Sequence, residues 1–97
     1  MARPQLLDEK EIQRKLEQFP DWKRKDKTIV REISAANFAA AIGIVNAIAI
    51  LAESSDHHPD ILIYGWNKIR ISLSTHDQGG LTDNDFDLAK KIEELRF

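Results

Sequence analysis

Three histidines, His57, His58 and His76, are the only ones in the chain, and all fall within one 20-residue stretch. Histidine is the side chain whose unperturbed pKa, ~6.5, lets it give or take a proton near neutrality. Carboxylates accompany them: Glu53, Asp56, Asp77 and Asp85. Proton transfer is the chemistry these residue types share. Pro59 follows the first pair and biases His58 toward extended backbone. Consecutive extended residues point in opposite directions, so the two rings are expected to serve different roles. His76 precedes Asp77-Gln78-Gly79-Gly80, whose glycines let backbone approach a ligand. A catalytic zinc commonly takes three protein ligands. Adjacent His57 and His58 converge poorly on one metal, and neither HxH nor HxxxH spacing occurs. No metal and no cofactor are expected.

The elements that must hold these residues are legible from their caps. Asp8 with Glu11, flanked by Leu7 and Ile12, opens a helix expected to run to about Gln18. Ser34 is expected to cap a second helix, with Ile33 and Phe38 as its staple. Thr82 with Asp85, stapled by Leu81 and Phe86, opens a third that is expected to reach the C-terminus. Strands are expected at Trp22–Lys25 and Thr28–Ile33 around Asp26-Lys27, and at Asp60–Tyr64 and Lys68–Thr75 around Gly65-Trp66-Asn67. The order α-β-β-α-β-β-α predicts an α+β two-layer sandwich, a four-stranded antiparallel sheet with three helices on one face. Residues 1–97 read as a single domain.

Composition narrows the function classes. Hydrophobic residues make up 42% and charged residues 31%, an ordinary globular balance. A net charge of −2, with the charges interspersed, gives no reason to expect direct binding of nucleic acid. There is no cysteine, hence no disulfide and no thiolate metal site. Met1 to Gln5 lack the apolar run of a signal peptide, so a cytoplasmic protein is expected.

From Phe38 to Ala52 the only polar side chain is Asn46. That run is shorter than the ~20 residues of a typical bilayer span, so no membrane role is expected. A helix apolar all round needs cover on both sides. Either the other helices supply it, or a second subunit does, helped by the small Ala36, Ala40, Gly43 and Ala47. Self-association is the reading preferred here, as a homodimer or homotetramer.

Taken together, Glu53-Ser54-Ser55-Asp56-His57-His58-Pro59, then Leu73-Ser74-Thr75-His76, then Gly80-Leu81-Thr82 with Asp85, resemble the signature of the pterin-4a-carbinolamine dehydratases. Trp22 matches that family's tryptophan, and the element order matches its fold. Trp66 stands where animal members tend to carry tyrosine. The resemblance implies removal of water from 4a-hydroxytetrahydrobiopterin, giving quinonoid dihydropterin, as in tetrahydrobiopterin recycling. It further implies His57 and His76 as the acid–base pair and His58 as a group orienting the pterin. Glu53 or Asp85 would stabilise iminium character, Trp22 would wall the flat ring, and Ser74 and Thr75 would offer backbone to it. Asp56 and Asp77 complete the expected binding set. A second role is also implied by relatives that serve as dimerisation or assembly cofactors: binding another protein through the helical face.

Overall fold

The computed structural model describes residues 4–97; Met1 to Arg3, part of the stretch read for a leader, lie outside it. Its elements run α1 (Glu9–Leu16), β1 (Trp22–Lys25), β2 (Thr28–Ser34), α2 (Phe38–Ser55), β3 (Asp60–Tyr64), β4 (Lys68–Leu73) and α3 (Asp83–Glu93), with a 3-10 turn at His76–Gln78 between the last two. The four strands form one antiparallel sheet in the order β1-β2-β4-β3. This is the expected α+β sandwich.

Strand periodicity decides which side is covered. Ile29 and Ile33 of β2 and Ile69, Ile71 and Leu73 of β4 are buried. They pack with Ala41, Ile48 and Ala52 of α2 and with Phe86, Leu88, Ala89 and Ile92 of α3. Each fully buried isoleucine contributes about 1.5–3 kcal/mol from burial alone. The alternate residues of β4, Lys68 and Arg70, stay exposed on the outer face.

Helix starts follow local hydrogen bonding. Asp8 and Thr82 form the expected capping boxes with Glu11 and Asp85. The second helix is a correction, because its N-cap is Asn37 and not Ser34. Ser34 still pairs with Lys68 in the sheet, so its backbone is committed elsewhere. Asn37 offers an equally good acceptor, and its Oδ1 takes the Ala40 N–H at 2.8 Å. Three other ends are earlier than expected, the first being that of α1, which stops at Leu16 rather than about Gln18. The third helix stops at Glu93, short of the C-terminus, and Arg96 turns to a φ of 54°. β4 stops at Leu73, because Thr75 leaves β3 to bridge Gly80 instead.

The C-terminal end of α2 sets up the histidines. Asp56 adopts left-handed backbone at φ 49° and ψ 43°, a conformation that aspartate tolerates better than most residues. His57 N–H then reaches the carbonyl of Ala52 at 3.1 Å, and Asp56 N–H that of Glu53 at 3.2 Å. These are the paired closing bonds of a Schellman motif. They stop the helix abruptly and launch His57-His58 into extended chain.

Only Ala41, Ile48 and Ala52 of α2 are buried, a single stripe. Phe38, Ile42 and Ile50 are exposed, Ile50 by 70%. By length and composition α2, with 18 residues and mean hydropathy 1.7, would suit a membrane span at the short end; here its stripe packs on β4 and α3.

Candidate active site

The histidines gather where β3 and β4 part. A cleft of about 160 Å³ is lined by Asp56, His57, His58, Ser74, Thr75, His76 and Asp77. Past the last paired positions, Asp60↔Ser72, the two chains diverge, and His57 and His58 line the resulting cleft with Ser74 and Thr75. The alternation separates the two imidazoles, as expected. His57 turns inward, and His58 stays on the outer, solvated side.

His57 is the anchored member. Its Nε2 lies 2.6 Å from Asp85 Oδ1; its side chain is 12% exposed and that of Asp85 0%. The other carboxylate oxygen of Asp85 accepts the Thr82 N–H at 2.9 Å and the Thr75 hydroxyl at 2.9 Å. The hydroxyls of Thr75 and Thr82 meet at 2.7 Å, and Thr82 Oγ1 accepts the Asn84 N–H at 3.2 Å. The contacts fit a proton order in which Thr82 donates to Thr75, Thr75 to Asp85 Oδ2, and His57 Nε2–H to Asp85 Oδ1. His57 Nδ1 is then the nitrogen left free to exchange a proton. Among the described residues no buried side-chain polar atom lacks a partner.

His58 and Glu53 form a looser pair, Nε2 to Oε1 at 2.7 Å, with both side chains more than half exposed. His76 is exposed in the 3-10 turn, where Gly79 takes a φ of 71° so that its N–H can close onto Thr75 and His76 carbonyls. No group of three histidine, aspartate or glutamate side chains is arranged to hold a metal ion among the described residues.

Three expected contacts, Trp22, Asp85 and Glu53, are absent from the cleft lining, and Glu53 is held by His58 instead. Trp22 is only 3% exposed, and its Nε1–H donates to Glu93 at 2.8 Å, beside the Arg31 guanidinium that shares the same oxygen. It is a core residue, absent from the cleft lining. Asp85 lies behind His57, so its carboxylate acts on the imidazole and does not face the cleft. Thr82 was read only as a cap, although the cap motif was the available signal for its place in this network. Asn84, Asp87, Leu88 and Lys91 are four further neighbours of His57 that the sequence reading does not name. With Ser55 they line a second pocket of about 160 Å³ on the other side of His57. Their spacing along one face of α3 was the clue.

A larger depression, about 640 Å³, lies on the sheet and is lined by residues of β1, β2 and β4 with Pro20 and Asp21 before them. It contains no histidine; the three histidines all line the smaller cleft.

The family model for pterin 4 alpha carbinolamine dehydratase matches residues 5–95. The chain belongs to this family. Proteins carrying the pterin-4-alpha-carbinolamine dehydratase name include one from Chloroflexus aurantiacus, 51% identical over 92% of this chain and 95% of its own length. Another, from Picosynechococcus, is 48% identical over 92% and 96%. A crystal structure from Brucella melitensis, described as a transcriptional coactivator/pterin dehydratase, superposes with a TM-score of 0.88 at 29% identity, covering 94% of this chain and 98% of that one. A pterin dehydratase-like protein identified as a RuBisCO assembly factor in the alpha-carboxysome shares the fold at a TM-score of 0.62 and 20% identity, over 76% and 84%. Membership makes the chain a hydro-lyase of the pterin carbinolamine class.

Proposed function

We propose that this protein dehydrates 4a-hydroxytetrahydrobiopterin to quinonoid dihydropterin and water, as a step in tetrahydrobiopterin recycling. The observation that carries the mechanism is the buried Asp85–His57 pair at the wall of a cleft shared with His58 and His76. The reaction breaks the C4a–O bond. An acid must protonate the departing hydroxyl, and a base must take the proton from N5 as the C4a–N5 double bond forms. His57, its tautomer fixed through Nε2, and His76, free in its turn, fill those two roles. Positioned acid–base groups typically contribute ~10²–10⁴-fold each. His58, steadied by Glu53, orients the ring from the outer side. Asp56 and Asp77, which line the cleft, are assigned to border the ring, and Glu53, held to His58 on the outer side, is the carboxylate assigned to developing positive charge.

The test is stopped-flow dehydration of synthetic 4a-hydroxytetrahydropterin by chelator-treated protein. Full activity supports the metal-free mechanism. Activity abolished by chelation and restored by zinc contradicts it, and no activity at all contradicts the function.

A second reading concerns assembly, and the exposed apolar side chains Phe38, Ile42 and Ile50 of α2 favour it. We propose that a second copy of the chain covers them, with α2 or an edge strand at the contact, in a dimer or a dimer of dimers. The helical face also suits a different protein partner, the role suggested by the coactivator description of the Brucella relative.

A further inference from the structure

The histidine cleft, at about 160 Å³, falls below the ~300–1,000 Å³ of pockets that enclose a whole small ligand. It has room for a ring system and little else. Around a pterin, N5 is bonded to both C4a and C6. With C4a and N5 at the histidines, the C6 substituent therefore emerges at the mouth of the cleft.

The space beside that mouth is the 640 Å³ groove, whose lining includes Lys23, Lys25, Thr28, Arg70 and Ser72 together with the carboxylates Asp21 and Glu32. Two lines of residues connect the depressions. Along β4, Arg70 and Ser72 share the outer face, and Ser74, next in the same alternation, lines the cleft. Across the sheet, Lys25 pairs with Thr28. The β2–β4 register, carried one step past Ile29↔Leu73, sets Thr28 beside Ser74. Ser74 and His58 line the cleft together. Lys25, Thr28 and Ser74 thus form one row across strands about 4.8 Å apart, and the row ends at that cleft. Two strand spacings separate Lys25 from Ser74, a gap a lysine side chain can largely span.

Charge selects the occupant. Arg70 is held by Glu32 at 2.5 Å, and Arg31 by Glu93 at 2.8 Å. Lys23 and Lys25 are exposed and make no ion pair among the described residues. We infer that this groove receives an anionic group, carboxylate or phosphate, at the end of the pterin's C6 substituent, with Lys23 and Lys25 as its counter-charges. The inference rests on the pterin dehydratase reading and departs from it in the tail: the preferred pterin carries an anionic C6 substituent in place of the neutral dihydroxypropyl chain of biopterin.

The experiment compares kcat/KM for three 4a-hydroxytetrahydropterins: one with a neutral dihydroxypropyl chain at C6, one with that chain ending in a phosphate monoester, and one with a longer tail ending in two carboxylates. The parent should favour an anionic substrate by roughly tenfold at low ionic strength, with the preference fading as salt is added. The Lys23→Gln, Lys25→Gln double variant should lose the preference while keeping its rate on the neutral substrate. A gain confined to one anionic probe supports the inference and identifies the anion. Equal turnover of all three by the parent, or a preference that survives in the double variant, overturns it. Failure to turn over any of the three overturns the dehydratase reading itself, and the groove with it.

Discussion

The imidazole of His57 and the carboxylate of Asp85 lie 2.6 Å apart, Nε2 to Oδ1, although 28 residues separate them in the chain. One carboxylate serves two elements: Oδ2 caps α3 through the Thr82 N–H, and Oδ1 holds the His57 ring. The helix start and the histidine tautomer are therefore set by the same buried group.

Asp85→Asn should keep the shape and lose the charge, letting the amide donate to Nε2 and moving the imidazole proton to Nδ1. The expected result is a kcat lowered by about 10²–10⁴-fold with KM little changed, since Asp85 does not touch substrate. Steady-state kinetics on the carbinolamine check it. A raised KM at unchanged kcat would make Asp85 a substrate contact.

Trp22→Phe should behave as a core substitution. It removes the Nε1–H bond to Glu93 and leaves the Glu93–Arg31 pair in place, a loss of about 1–3 kcal/mol of stability. KM for the pterin should be unchanged. Denaturant unfolding and kinetics on the same variant measure both, and a KM rise without a stability loss would return Trp22 to the ring.

The fold was legible because its signals are local. Capping boxes at Asp8 and Thr82 and the alternation of β4 are short-range patterns that the tertiary structure had no reason to override. Ser34 misled because strand pairing with Lys68 outweighed an available cap. The histidine cluster was legible from residue type and from Pro59. The burial of Trp22 was not, because its partner Glu93 lies 71 positions away. Asp85 could be read as cap or as site residue from spacing alone, and only the fold shows that its two oxygens allow both.

On the outer face, Glu32 accepts from Arg70 and Tyr64, which hold its carboxyl below the ordinary value of 4.5, the arginine foremost. A carboxyl depressed in the folded state adds stability above its unfolded pKa and loses it as pH falls through the folded one. Glu32→Gln should therefore lower Tm slightly at pH 7, by an exposed pair's worth of ~1 kcal/mol or less. The gap to the parent should narrow as pH drops below about 4.5. Thermal melts across that range check it; a gap that widens in acid would contradict the pairing.

Ile50→Asp places a charge on the exposed stripe of α2, where burial against a second copy would leave it unpaired. Light scattering at micromolar concentration should show an even oligomer for the parent and a smaller species for the variant. A monomeric parent would refute the assembly reading.

The central claim is that His57 and His76 exchange the protons of the dehydration. Its most direct measurement is the single-turnover rate of carbinolamine loss in His57→Ala and His76→Ala beside the parent, with folding checked by circular dichroism. The account predicts a fall of about 10²–10⁴-fold in each. Rates within about threefold of the parent in both, far less than the loss of an acid or base costs, would contradict it.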